Sequence, residues 1–538
     1  MVAESRHAMC GVVKLNTSTT LARTIVRQIL EAGITDVVIS PGSRNAPLSL
    51  AFFQAAERNL ITLHTRIDER TAAFFALGVA KASKRPVPII CTSGTAVANY
   101  HPAILEASHS NQPLLVITAD RPANLRRTGS NQTTEQARIF GKAVRYFADI
   151  SGAAYPMELP FNSLRTGPVH LNIQFAEPLS PDDDSDWLSA VKKREPPQLS
   201  EKSAGTFYTK STRGALVIGH DRAGFSVNEV NDFAAKLGWP VIAEDPLSFP
   251  GAIPHASIFL TSQSITDELA PDTVVVIGRT TLSRPINRII SMARKSVVID
   301  PRILTVDSDR SANQKFTSMP ICESPSVDTE YFARWEKYGE RTAKMIADLK
   351  VWSEQLIARE IAKNLPASAT LFISSSRPIR DIEGFANPRT GVETFANRGL
   401  AGIDGNISTA LGIASQRSNT YAVLGDLSFL HDLTGLIHGE KINLKIFVVD
   451  NNGGGIFSTL SHRGVAGFEE VFGTPHHLDL VKIAAAFGLE TCRITKQSEL
   501  QAELAKPVNG ISLAVIEVPT RESNAENLAV IFKSIDSI

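Results

Sequence analysis

From the apolar run Tyr421–Leu424 to Phe457, the chain reads as a buried strand ending in Gly425-Asp426, a helix, a second buried strand (Lys445–Val449) and an Asn-Asn-Gly turn. Two apolar strands joined through a helix fit a parallel pair, which needs such a crossover. The arrangement puts the Asp426 carboxylate and the Asn451 amide at the carboxyl ends of two strands. Hard oxygen ligands there suit a magnesium ion that grips a diphosphate. The helix N-terminus after Asp426 offers backbone N–H groups to the same anion. Gly-Asp after an apolar strand is common in α/β proteins; the turn Asn451-Asn452-Gly453 is what favours the metal reading over a plain strand end.

The same alternation runs through the rest of the chain. Leu21, Ile25, Ile29 and Leu30 share one helical face, with Ser18 to Thr20 as cap candidates and Gly33 as the stop. Strands are expected at 36–40, 87–92, 114–118 and 169–173, then at 215–218, 241–244, 274–277 and 297–299, and finally at 370–374, 394–397, 421–424, 445–449 and 513–518. One amphipathic helical segment is expected over 328–363. This predicts an α/β protein of three consecutive doubly wound parallel-sheet domains. Their expected limits are 14–185, 213–345 and 346–538, with a linker at 186–212 after the acidic run Asp182–Asp184. No short sequence repeat is visible.

Length and composition narrow the function. With 538 residues, 43% hydrophobic and 20% charged, the chain can bury several cores. Lys+Arg and Asp+Glu both number 55, a balance that argues against general nucleic-acid binding. The four cysteines (Cys10, Cys91, Cys322, Cys492) form no CxxC pair, so a disulfide or zinc framework is not expected and a cytoplasmic setting is. No apolar run is long enough to span a bilayer, and the N-terminus lacks a signal-peptide core. HPAILEASH (101–109) departs from the zinc-binding HExxH spacing and is read as a surface helix.

The segment His64–Ser83 leads from a strand through Asp68-Glu69-Arg70 into an apolar helix. A carboxylate held among apolar residues such as Ala72–Phe75 can exchange protons near neutrality. The competing reading of Glu69 is an exposed acid favoured by the helix dipole. Here the motifs accumulate: SPGSRNAP (40–47), RIDERTA (66–72), TSGTAVAN (92–99), TADRP (118–122), GSNQT (129–133), NRGLAGIDG (397–405), GDLSFLHD (425–432) and NNGGGIF (451–457). In this order they resemble the MenD family, thiamine-diphosphate-dependent synthases of menaquinone biosynthesis. The likeness spans nearly the whole chain and is weakest between 181 and 370.

The resemblance implies the thiamine-diphosphate-binding fold, with pyrimidine-binding, central and diphosphate-binding domains. It implies sites between subunits of a homodimer or tetramer. It implies decarboxylation of 2-oxoglutarate and 1,4-addition of the succinyl carbanion to isochorismate. Glu69, Gln132, Arg44 and Arg398 would be catalytic, with Glu69 facing the aminopyrimidine ring. Cofactor contacts would be Gly402, Ile403 as an apolar wedge, Gly425, Asp426, Leu427, Ser428, Asn451, Gly453 and Ile456. Magnesium, replaceable by manganese, would be held by Asp426, Asn451 and the Gly453 carbonyl. Both substrates are dicarboxylates, which suit the planar fork of arginine. The implied substrate contacts are Ser43, Arg44, Arg121, Asn131, Gln132, Arg284, Ser376, Arg380 and Arg398, with Ile456, Phe457 and Leu460 as an apolar wall. Taken alone, Ile403 reads as core and Ser428 as a helix cap.

The chain departs from the family pattern at Leu427, where glycine is usual, at Ser375, where asparagine is frequent, and at Arg284, where the central-domain lysine falls. Segment 461–477, rich in glycine and charge, is expected to act as a lid. Another thiamine-dependent 2-oxo-acid decarboxylase or an acetolactate-type synthase is the alternative within the class. An NAD-linked oxidoreductase is disfavoured, because no GxGxxG follows an expected strand. A non-catalytic relative should have lost Glu69 or a metal ligand, and all are present.

Overall fold

The apolar runs become the central strands of three parallel sheets in the computed structural model. It describes residues 17–152, 158–181, 183, 185–189, 191–192, 204–302, 312–323, 325–437, 439, 441–461 and 463–538. The chain divides into two units: Met1–Ala76, Arg85–Ile104 and Asn111–Pro197 form one, and Leu77–Lys84, Leu105–Ser110 and Gln198–Ile538 the other. The N-terminal stretch with Cys10 lies outside the described residues, as do Asp182 and Asp184.

In the first unit, β1 (Asp36–Ile39), β2 (Thr62–Thr65), β3 (Val87–Cys91), β4 (Leu114–Asp120), β5 (Tyr146–Ile150) and β6 (Val169–Gln174) form one sheet in the order β2-β1-β3-β4-β6-β5. All its pairings are parallel. Strands β3 and β4 are buried along their whole length, as a sheet covered on both faces requires. Helix Thr17–Glu31 packs Ile25, Val26 and Ile29 into this core; Ser18 to Thr20 lie within its first turn rather than capping it. Trp187 and Leu188, placed in the expected linker, are buried in the same core, and Trp187 Nε1 donates to Gln54 Oε1 (2.7 Å).

The second unit holds two larger sheets. β8 (Gly214–Ile218), β9 (Val241–Ala243), β10 (Thr273–Ile277), β11 (Lys295–Ile299) and β12 (Gln314–Phe316) run in the order β12-β11-β10-β8-β9. The short β7 (Thr206–Phe207), also within the expected linker, pairs with β13 (Ile321–Cys322). β14 (Ala369–Ile373), β15 (Val392–Phe395), β16 (Thr420–Gly425), β17 (Leu444–Asp450), β18 (Glu490–Ile494) and β19 (Ile511–Glu517) follow in the order β15-β14-β16-β17-β19-β18. That order repeats the first sheet's strand for strand. One continuous core, from Val217 to Ile535, serves both larger sheets. The segment expected to be helical over 328–363 holds two helices, Thr329–Ala347 and Glu354–Asn364; Ser353 caps the second through its side chain.

In each six-stranded sheet the order reverses beside the first strand, between β1 and β3 and between β14 and β16. Open α/β sheets bind ligands outside the carboxyl ends of strands at such a point. On the other side of β16, register decides what meets at the strand ends. Gly425 on β16 lies opposite Val449 on β17, so Asp426 emerges level with Asp450 and just before Asn451.

His170 on β6 is fully buried among Phe140 and Phe147, with Nε2 2.8 Å from Thr118 Oγ1. Burial lowers its pKa to about 3. The unfolded chain binds this proton below about pH 6.5 and the fold does not, so the stability held above that pH is lost as pH falls toward 3. Wild type compared with His170→Gln should lose about 2 kcal/mol of its relative stability between pH 6.5 and 5 by urea titration. A constant difference would show that His170 is protonated in the fold.

Candidate active site

Asp426 opens the helix Asp426–His431 at the end of β16 and is buried. Its Oδ1 accepts the Leu427 N–H and its Oδ2 the Gly453 N–H, each at 2.7 Å. The turn after β17 needs glycine at 453: its φ is +133°, and a Cβ there would stand 2.1 Å from the Gly473 carbonyl. The Gly453 carbonyl, expected as a metal ligand, accepts the Gly455 N–H (2.9 Å), so it is the residue's N–H that meets Asp426. Asn451 donates Nδ2–H to Glu354 Oε1 (2.6 Å), while its Oδ1 is buried without a hydrogen-bond partner.

His476 was not selected from sequence. Its Nε2 is 3.2 Å from Asp426 Oδ2 and 3.7 Å from Asp450 Oδ1. One ligand atom from each of these three residues falls within 4.8 Å of the others. The hydrogen bond to Asp426 raises the pKa of His476 against the effect of burial, while burial raises that of Asp450. Beside them an open cavity of about 300 Å³ is lined by Asp450, Asn451, Asn452, Glu517 and Arg521, among others. The donor set is hard, acidic and includes an orphaned amide oxygen, which fits a divalent cation.

Around this centre, Asn406 Nδ2 donates to Ser428 Oγ (2.7 Å), Ser374 Oγ (3.0 Å) and the Gly402 carbonyl (3.5 Å), and Ser428 Oγ donates to the Ile403 carbonyl (3.4 Å). Gly402, Ile403 and Ser428 thus meet. Ser428 lies inside its helix, whose cap position is Gly425, so it is not the N-cap. Ile456, Phe457 and Leu460 follow the glycine turn and are half-buried. Ser376 adopts φ +76°, ψ −126°, a conformation costly for a residue with a Cβ and characteristic of functional sites. Its carbonyl accepts from Arg380 Nη1 (2.7 Å).

Arg398 is buried and paired with Glu244 (2.6 Å) within the unit. Two expectations change. Segment 461–477, of which residue 462 lies outside the described residues, is fastened rather than free near its end. The Gly473 carbonyl takes the Gly454 N–H (2.7 Å), and Asn452 Oδ1 takes the His476 and His477 N–H groups (3.1 and 2.8 Å). HPAILEASH is a helix with Ala103, Ile104, Glu106 and Ala107 buried, not a surface helix. Arg284 is exposed at the start of helix Arg284–Met292.

Glu106, 3% exposed, accepts the N–H groups of Gly399 (2.7 Å) and Leu400 (2.6 Å). Lys81 stands 4.0 Å from it and donates to the Ala396 carbonyl (3.1 Å). Together they hold the loop that carries Arg398, Gly402 and Ile403.

In the first unit, Asp68 caps the helix Glu69–Ser83 by accepting the Arg70 N–H (2.9 Å), which leaves the half-buried Glu69 carboxylate free of that duty. Glu69 adds to the burial that pushes the thiol of Cys91 and the hydroxyl of Tyr100 well up. Arg121 Nη1 reaches Ser93 Oγ (2.9 Å) and the Gln132 carbonyl (2.7 Å), and Gln132 Nε2 donates to the Ser93 carbonyl (3.0 Å). Arg44 bonds the Phe175 carbonyl (3.0 Å) and pairs with Glu177 (3.2 Å). Desolvation and the charge of Arg44 both lower the pKa of Arg121, so two cations face one another here. Ser43 and Asn131 are exposed.

Family models for the N-terminal TPP-binding domain of thiamine pyrophosphate enzymes, their middle domain and their C-terminal TPP-binding domain match residues 19–139, 181–373 and 383–518. The three-domain fold is that of a thiamine pyrophosphate enzyme. Proteins named 2-succinyl-5-enolpyruvyl-6-hydroxy-3-cyclohexene-1-carboxylate synthase are similar over nearly full length. The one from Nocardioides sp. is 39% identical, covering 95% of this chain and 96% of its own. That from Thermobifida fusca is 37% identical (96% and 98%), and that from Saccharopolyspora erythraea 36% (94% and 96%). The chain belongs to this synthase family.

Replacing Glu106 with glutamine turns an N–H toward the Gly399 and Leu400 donors. Unfolding free energy should fall by about 1–3 kcal/mol in urea titration. Unchanged stability would show that the loop does not depend on this carboxylate.

Proposed function

We propose that the protein decarboxylates 2-oxoglutarate and joins the succinyl unit to isochorismate by 1,4-addition, in menaquinone biosynthesis. One observation carries the cofactor end of this reading: adjacent parallel strands end in a buried Asp426 and in an Asn451 whose amide oxygen lacks a partner. Those two, with Gly453 at the turn, hold magnesium or manganese and through it the diphosphate; His476 closes the acidic cluster. Gly425 and Leu427 flank Asp426 at the helix start, and Ser428 and Gly402 are joined beside them through Asn406. Thiamine diphosphate, when bound, supplies the electron sink that allows a 2-oxo acid to lose carbon dioxide.

The residues divide the remaining work. Glu69 holds and returns a proton at the aminopyrimidine ring. Ile403 would rest against the cofactor as an apolar wedge. Arg44, Arg121, Arg380 and Arg398 receive substrate carboxylates, aided by Ser43, Asn131, Gln132, Arg284 and Ser376. Ile456, Phe457 and Leu460 keep water from the reacting carbon. We place the pyrimidine-binding domain at 14–185, the central domain at 213–345 and the diphosphate-binding domain at 346–538; of the span 186–212 expected as a linker, Trp187 and Leu188 belong with the first core and β7 pairs with β13. We assign sites shared between subunits of a homodimer or tetramer in the cytoplasm. No helix among the described residues is long and apolar enough to cross a membrane.

The direct test is purified protein with thiamine diphosphate, magnesium and 2-oxoglutarate, with and without isochorismate. Carbon dioxide release with a new adduct only when isochorismate is present supports the reading; carbon dioxide without an adduct returns the alternative decarboxylase. Glu69→Gln should lower turnover by about 10²–10⁴-fold with an unchanged melting temperature. Near-normal turnover would remove Glu69 from proton transfer. Asp426→Ala should weaken magnesium-dependent cofactor binding by calorimetry, and an unchanged affinity would exclude Asp426 as a ligand.

A further inference from the structure

Glu354 begins the helix Glu354–Asn364, far from Asn451 in sequence, and its side chain is only 6% exposed. Its Oε1 takes the Asn451 Nδ2–H at 2.6 Å. Its Oε2 lies 3.4 Å from Arg377 Nε, and Arg377 also pairs with Asp381. A carboxylate accepts hydrogen bonds and has none to give. The amide nitrogen of Asn451 is therefore drawn to Glu354, and its oxygen is turned away. That oxygen is buried and unpartnered. Gly455 makes room for the amide: a Cβ there would stand 2.3 Å from Nδ2 and 3.3 Å from Oδ1.

We propose that Glu354 is a positioning residue that fixes the polarity of the Asn451 amide, so that its oxygen and never its nitrogen faces the cation. The proposal rests on the reading of Asn451 as a metal ligand. Groups behind a ligand commonly set its orientation and govern affinity in this way. Arg377, held by both Glu354 and Asp381, lies on the helix Arg377–Phe385 that carries Arg380. The same carboxylate thus ties the metal ligand to the helix that presents a substrate arginine.

Manganese binding in the presence of thiamine diphosphate, followed by the EPR signal of the free ion, tests this without measuring activity. Glu354→Gln can offer an N–H to Asn451, allows the amide to turn over, and should weaken manganese binding by about 10–100-fold. Asn451→Asp sets two carboxylates against each other and should weaken it too. Combining Asn451→Asp with Glu354→Gln reverses the hydrogen bond and leaves a carboxylate oxygen facing the ion. Affinity should then return to within about tenfold of wild type, which loss of structure alone would not produce. Wild-type binding by Glu354→Gln, or a double variant no tighter than Asn451→Asp, would overturn the proposal. The second comparison decides the matter if Glu354→Gln fails to fold. Asp426→Ala serves as the control: if it binds manganese normally, the metal reading itself fails. Loss there with full binding in Glu354→Gln removes only the role given to Glu354.

Discussion

The Gly453 N–H donating to the buried Asp426 carboxylate joins the ends of two neighbouring parallel strands. A carboxylate buried at a strand end needs donors, and Leu427 and Gly453 supply them from the backbone on either side. That pairing fixes the turn after β17. The turn fixes where Asn451 stands, and its close approach to Gly473 brings in the segment that delivers His476. A side chain at 453 would break this arrangement at its narrowest point.

The first and third sheets share one strand order, so the chain contains the same wound topology twice. Each copy reverses its strand order beside its first strand, and different chemistry follows the strands there. After β1 and β3 come the loop of Ser43 and Arg44 and the Ser93–Gly94 turn, with Arg121 and Gln132 bonded to Ser93. After β14 and β16 come Ser374, Ser376 and Asp426. The first set is cationic and rich in hydrogen-bond donors, and the second is acidic.

The central strands were legible because burial on both faces leaves an unbroken apolar run: β3, β4, β10 and β17 stand where those runs do. Edge strands β5 and β18, whose residues are mostly half-exposed, carry no such signal and were not anticipated. The repeated topology lies in strand order, which residue identities do not encode. Of the site, Asp426 and Asn451 could be read because strand and turn signals place them. Glu354, Glu106 and His476 could not, because each arrives from a distant element. Glu106 was misjudged for a physical reason: a charged residue on a short helix reads as exposed until two backbone donors are found against it.

On the proposed reading, the carboxyl ends of β16 and β17 hold a cation and, through it, the diphosphate tail of the cofactor. A crystal structure of the protein with thiamine diphosphate and magnesium measures this most directly. The ion should be bonded to an oxygen of Asp426 and to Asn451 Oδ1, with diphosphate oxygens completing its shell. An ion bound elsewhere, or Asn451 presenting its nitrogen to the tail, would contradict it.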